Sequence, residues 1–417
     1  MTGMLDGIKV VSFTHYLQGP SCSQMLGDLG ADVVRIEPIG GSYERFWSGA
    51  RTFVGEESVF FLLAGRNQRS AEINLRDPAG EEVLWRMLDA ADVVVENFRP
   101  GVLERRGFGY EAVKARNPGI VYCSLTGFGP TGPLADRPGQ DLLMQSFSGL
   151  ASLSGRAGDP PVLVGSAIVD EHSATLGTMG ICAALVRRAR TGEGAKIDSN
   201  LLSAAMDLQL EPLNCHLNGG RLWPRSASGI SSRFHQAPYG VFETSDGWLT
   251  LSLADGATLA AAFDDPRLAE FTRDDQFTQR ERVNEIIVEH MRTNTIAHWR
   301  ARLDDIGVWN APVNEYPELL DEPQVEANET VLTFEHPSAG TVRVVNHPVK
   351  YDGHTPPLRL VPPTVGQHTD DVLREAGYSD EEISRMRKDG AVGPDRAVVG
   401  FDREKSAPAS SYSAKRS

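Results

Sequence analysis

Four short apolar runs in the first third of the chain alternate with segments of helical spacing, and that alternation leaves very few folds open. The runs are IKVVSF (8–13), ADVVRI (31–36), DVVVE (92–96) and IVYCSL (120–125). Between them, Glu81–Asp89 puts Val83, Leu84, Met87 and Leu88 on one helical face. Strands that alternate with helices imply a mainly parallel sheet with helices on its faces, an α/β architecture. Ligands of such sheets sit outside the carboxyl ends of the strands. The loops there read THYLQGP, EPIGG, NFRPG and TGFGPTGP. None is GxGxxG or GxxxxGK[ST], so nicotinamide-nucleotide and P-loop readings have no support.

A chain of 417 residues is too long for one ordinary core. The pattern assigns residues 1–215 to a large domain, completed by about 330–400, and residues 225–325 to a small one. NCHLNGGRLWPRSASGISSRFHQ (214–236) reads as an inter-domain linker or mobile loop, with Gly219, Gly220 and Gly229 able to flex over intermediates. YGVFETSDGWLTLSL reads as two β runs around a Ser-Asp-Gly turn, Val283–Asp304 as helix, 342–353 as strand, and 373–387 as a helix pair. The polar tail 403–417 reads as disordered.

A net charge of −15 argues against a nucleic-acid partner. No apolar run approaches the roughly 18 residues of a membrane span, and no secretory signal is visible. Cys22, Cys123, Cys182 and Cys215 are scattered without metal-type spacing, which fits buried free thiols in a reducing cytoplasm and predicts no metal site.

One carboxylate stands out. VLVGSAIVDEHS (162–173) is small and apolar apart from its last residues, and Asp170 precedes an amphipathic run through Ala174, Ile181 and Leu185. The spacing places Asp170 at a helix N-cap, worth about 1 kcal/mol over alanine. A carboxylate at a helix start also stays ionised and fixed in direction, two properties a carboxylate nucleophile needs. Position alone fits both roles.

LDGIKVVSFTHYLQGPSCSQMLGDLGADVVRIE, GRNQRS, DVVVENFRPGVLERRGFGYE, SLTGFGPTGP and VGSAIVDEHSATLG follow one another in the order and spacing of the family III CoA-transferases, which share a fold with α-methylacyl-CoA racemases. APYGVFETSDGWL and NAPV also resemble that family, so the resemblance spans roughly residues 5–375. It implies a Rossmann-like large domain, a smaller α+β domain and an interlocked homodimer. It implies CoA transfer from an acyl-CoA donor to a small carboxylic acid, with the CoA thioester as substrate and no prosthetic group. Asp170 would be the nucleophile, forming a mixed anhydride and then an aspartyl-CoA thioester.

The resemblance assigns Arg35, Arg69, Asn97, Phe98 and Arg105 to CoA, and Arg137 is a further candidate; arginine forks suit phosphates. Gln68 stands where the family usually carries a lysine, and Leu17 where oxalate-type enzymes carry a glutamine, which leaves Gln18 as the nearby candidate for substrate contact. Asp141 is a candidate second carboxylate. Racemases carry a His-Asp pair where this chain has Gln140 and Asp141, and a glutamine amide cannot accept a proton from an α-carbon. An acyl-CoA isomerase and a non-catalytic acyl-CoA-binding protein are the alternatives. His15 and His172 flank the expected site.

Overall fold

The computed structural model describes residues 3–396, so the tail at 403–417 lies outside the described residues. Two compact units are present: one is built from the chain up to Gln140, Ile168–Ala204 and the chain from Pro323, the other from Asp141–Ala167 and Ala205–Glu322. Residues 141–167 and 205–215 thus belong to the second unit.

The first unit carries a six-stranded sheet. Its strands are β1 (Lys9–Phe13), β2 (Asp32–Glu37), β3 (Gln68–Glu72), β4 (Val93–Glu96), β5 (Val121–Thr126) and β6 (Ala195–Asn200). All pairings are parallel and the order is β3-β2-β1-β4-β5-β6. This is the doubly wound order whose direction reverses between β1 and β4, and the crevice outside that switch point is where such sheets bind ligands.

Helix α1 (Gln18–Asp28) follows β1, α2 (Pro78–Ala90) precedes β4, α3 (Tyr110–Arg116) precedes β5, and α4 (Ile168–Thr191) precedes β6. Strand β4 is buried on both faces, as a covered parallel strand must be. Val93 and Val95 join Cys22 and Leu26 of α1 and Ile181 and Leu185 of α4 in one core. Val94 joins Val83, Leu84 and Leu88 of α2 and Val113 of α3 in the other, which also takes in Ile383 and Met386 of helix Asp380–Asp389.

The four apolar runs form strands within a residue of their expected limits. Two strands lack an apolar signature. In QRSAE (β3), Ser70 donates to Glu37 at 2.6 Å, and Glu72 accepts from Gly40 N at 2.7 Å. AKIDSN (β6) is the half-exposed edge strand. Helix α4 begins at Ile168, so Asp170 lies inside its first turn and not at the N-cap; Val169, fully buried, draws the chain into helix three residues early.

Helix α1 is pinned at its far end. Asp28, buried, accepts from Arg66 Nη2 at 2.6 Å and Asn67 Nδ2 at 2.8 Å and lies 3.2 Å from His347 Nδ1. Asn67 Oδ1 in turn accepts from the backbone of Arg359 and Leu360, fastening the returning chain.

The second unit has its own core. Its antiparallel sheet runs in the order β9-β8-β7, with β7 Gly240–Glu243, β8 Trp248–Leu251 and β9 Asn310–Pro312. Phe242, Leu249 and Leu251 pack against Leu259, Ile287, Trp299 and Leu303. The expected single helix at 283–304 is two, Arg280–Met291 and Ile296–Ile306.

The 214–236 segment is no free linker. Arg225 donates to the carbonyls of Ser154 and Pro160, and Ser226 and Ser228 donate to Glu281 at 3.0 and 2.7 Å. All four cysteines are free; Cys22 and Cys123 are buried, but Cys215 is exposed. Among the described residues no helix is long and apolar enough to cross a membrane.

Burial raises the Asp28 carboxyl, but hydrogen bonds from His347, Arg66 and Asn67 and the Arg66 charge outweigh it and hold the group below the usual range. Its contribution is therefore complete above the unfolded value and is lost as pH falls below about 4. Asp28→Ala leaves Arg66 buried and unpaired and should cost about 3–5 kcal/mol in urea unfolding. Asp28→Asn should shallow the acid limb of the stability curve, and an unchanged limb would contradict the assignment.

Candidate active site

The loops after β1 and β4 meet at the switch point. Asn97 spans them: its Oδ1 accepts from His15 N and its Nδ2 donates to His15 O, both at 2.9 Å. Phe98 stacks on the His15 ring, with centroids 5.3 Å apart and planes at 24°. Burial, helped by the Arg35 charge, pulls His15 down to about 4, so it presents a neutral ring at neutral pH. Gly19 permits this closeness, because a Cβ there would lie 2.7 Å from Thr14 and 2.8 Å from the Asn97 side chain.

Helix α4 runs antiparallel to the strands, so its first turn arrives at the same carboxyl edge as the first turn of α1. Side-chain bonds tie this turn to α1 and to β6. Gln18 Nε2 donates to Ser173 Oγ at 2.7 Å, Ser173 meets Ser199 at 3.2 Å, and Ser21 donates to Glu171 at 2.9 Å. Asp170, half-buried, immediately precedes this anchored stretch. Glu171 is raised by burial, with the Ser21 bond pulling the other way.

Glu96 closes β4 beneath the His15–Phe98 stack. It is buried and accepts from Phe98 N at 3.0 Å. Burial pushes it up to about 7; the Ser124 and Phe98 hydrogen bonds and Lys196 oppose this, while Glu104 adds to it.

The expected phosphate arginines divide. Arg35 is 2% exposed and pairs with Glu44, its guanidinium lying over Phe61. Arg69 forks onto Asp32 (2.9 and 2.6 Å) and Glu375 (2.8 and 2.9 Å). Both are consumed by internal carboxylates, as a buried or half-buried guanidinium requires. Arg105, on the loop side of β4, and Arg137, beyond β5, are exposed cations. Gln68 is buried and donates to Ala64 O at 2.7 Å.

Asp141 belongs to the second unit, where it heads helix Asp141–Phe147, is buried, and accepts from Gln145 Nε2 at 2.6 Å. Gln18, Asn97, Phe98 and Asp170 thus share one edge of one unit, and Asp141 lies in the other. Sequence reasoning missed Ser21, Glu96, Glu171, Ser173 and Ser199. Their only signal was polarity inside apolar stretches, as in PSCSQ and VVVEN. No group of three or more His, Cys, Asp or Glu among the described residues could hold a metal ion.

The parallel strand order defines a doubly wound α/β unit. The chain belongs to CoA-transferase family III, which it matches over residues 5–369. Human succinyl-CoA:glutarate CoA-transferase is 32% identical over 397 residues, covering 93% of this chain and 90% of that protein. Formyl-CoA:oxalate CoA-transferase of Rhodopseudomonas palustris is 30% identical, covering 96% and 100%. The crystal structure of a CAIB/BAIF family protein from Brucella suis superposes with a TM-score of 0.78 at 29% identity, covering 90% of this chain and all of that one.

The raised Glu96 carboxyl fixes a sign. Between the ordinary glutamate value of 4.5 and about 7, the unfolded chain ionises this group while the folded one keeps it protonated. Stability should therefore fall as pH rises through that window, by roughly 3 kcal/mol, and level off above it. Glu96→Gln should abolish the fall. Thermal midpoints of the two proteins measured across that range check this; parallel curves would contradict it.

Proposed function

We propose that this chain moves CoA from an acyl-CoA thioester to a small carboxylic acid, with Asp170 carrying CoA as an aspartyl thioester between two half-reactions. The Asp170 carboxylate attacks the donor thioester carbonyl, expelling CoA thiolate and forming a mixed anhydride. The thiolate attacks the aspartyl carbonyl of that anhydride and releases the donor as its free carboxylate. The acceptor carboxylate then attacks the aspartyl-CoA thioester, again expelling thiolate. Attack of the thiolate on the acceptor's acyl carbonyl frees Asp170 and the new CoA ester. No water is consumed, and the cycle has no net proton change. A serine or cysteine would retain the acyl group; only a carboxylate can itself become a CoA ester.

The observation that carries this reading is the place of Asp170 in the first turn of α4, half-buried at the carboxyl edge of the sheet, next to residues bonded to α1. The positive end of the helix favours the ionised nucleophile. Gln18 braces the turn, and the His15–Phe98 stack supplies a flat wall suited to adenine. Arg105 and Arg137 are exposed cations open to CoA phosphates; Arg35 and Arg69 pair with internal carboxylates. Gln140 argues against the isomerase, since it supplies no base.

A homodimer accounts for exposed apolar side chains along α4 (Met179, Val186) and along helix Leu210–Leu217 (Leu210, Leu217). Four free thiols suit a cytoplasmic setting.

Asp170→Asn should cut turnover by at least about a thousandfold while leaving the equilibrium affinity for the acyl-CoA within a few-fold. Turnover close to that of the unaltered enzyme would overturn the nucleophile assignment. Sedimentation equilibrium should give twice the chain mass, and a monomer would contradict the dimer.

A further inference from the structure

Glu96 is buried at the end of β4 without the partner that other buried carboxyls of this unit hold. Asp28, Glu37 and Glu72 each pair with an arginine, Arg66, Arg45 and Arg396 in turn. Glu96 forms no ion pair among the described residues and accepts from Phe98 N at 3.0 Å.

Neighbouring elements supply the groups that act on it. Phe13 lies opposite it on β1. From β5 come Ser124, which hydrogen-bonds to it, and Tyr122 and Cys123, both kept protonated chiefly by burial. Lys196 of β6 acts on it but is already paired with Asp198 at 3.2 Å. Glu104, on helix Val102–Arg105, is a like charge, and the neutral His15 ring lies across Phe98. A carboxyl out of water, beside a like charge and without a cation of its own resists ionising.

The segment that follows Glu96 is the one that meets the nucleotide. Asn97 N donates to Phe13 O at 3.3 Å, the Asn97 side chain clamps the His15 backbone, and Phe98 stacks on the His15 ring. Arg105 ends the same stretch, its N donating to Gly101 O at 3.0 Å. Neutral or ionised, Glu96 can accept from Phe98 N; what its proton changes is the charge next to this segment.

Resting on the CoA-transferase reading above, we infer that Glu96 is a positioning residue for the CoA nucleotide, fixing the Asn97–Phe98 turn, and that its neutral form is the one that accepts the polyphosphate. Ionisation puts a negative charge without a paired cation in a poorly screened interior beside a surface that meets an anion. By linkage, CoA and the Glu96 proton then bind together. CoA affinity should fall as pH rises through about 7, and binding there should take up protons. The phosphate monoester of CoA, which ionises near about pH 6, acts the opposite way, since more charge on it strengthens its hold on arginines.

Isothermal titration calorimetry of the full chain with CoA, in two buffers of different ionisation enthalpy from about pH 6 to about pH 8, reads both quantities without turnover. The unaltered protein should lose roughly tenfold in affinity over that range and take up a fraction of a proton. Glu96→Gln keeps an acceptor for Phe98 N without the charge, so it should lose no affinity as pH rises, and the uptake should vanish. Glu96→Ala should weaken CoA at every pH, because Phe98 N loses its partner. The inference falls if Glu96→Gln keeps the pH profile and proton uptake of the unaltered protein, if it only weakens CoA equally at all pH values, which marks a structural role, or if Glu96→Ala binds as Glu96→Gln does. CoA binding without the Glu96 dependence sinks this inference alone. Failure of CoA to bind any of these proteins, each shown folded by its thermal midpoint, sinks the transferase reading and this inference with it.

Discussion

The first unit depends on α1 being fixed at both ends. At its start, Gln18 and Ser21 reach across to Ser173 and Glu171. At its end, Asp28 is locked by Arg66, Asn67 and His347. Buried hydrogen bonds of this kind add little net stability each but are costly to leave unmade, so they specify one register between two helices. The apolar faces of α1 and α4 supply the burial energy; the polar bonds decide where along the helix axes the faces meet. That decision sets the height of Asp170 at the sheet edge.

The same economy governs charge. Arg45 is forked onto buried Glu37 at 2.7 and 2.6 Å, Arg66 onto Asp28, and Arg69 onto Asp32 and Glu375. Burial of the carboxylates is tolerated because each gains a guanidinium, and Glu37 is held far below its usual range by Arg45 despite complete burial. Arg105 and Arg137 in the first unit are exposed and have no carboxylate partner among the described residues.

Much of the fold could be read from residue type. Strands β1, β2, β4 and β5 announced themselves because both faces are buried and only apolar side chains suit that without help. Strand β3 was silent because its buried Ser70 and Glu72 are satisfied by partners distant in sequence, such as Glu37 and Arg396. The 214–236 segment looked like a linker for the same reason: Glu281, which binds Ser226, lies 55 residues away. Arginine was the least legible residue. Arg35 and Arg69 carry the same charge as Arg105, and nothing in their own strands tells that Glu44 and Glu375 will claim them. Asp170 was singled out by its surroundings as a candidate, while the serines bonded beside its turn gave no signal because Ser within an apolar helix has no periodic signature.

The proposed cycle attaches CoA covalently to one carboxylate. The most direct measurement is intact-protein mass spectrometry after mixing with a panel of acyl-CoAs, followed by borohydride reduction and peptide mapping. A CoA-sized mass gain and, after reduction, conversion of the Asp170 carboxyl to the alcohol are expected, both absent in Asp170→Asn. A CoA adduct that maps to another residue, or that persists in Asp170→Asn, would contradict it.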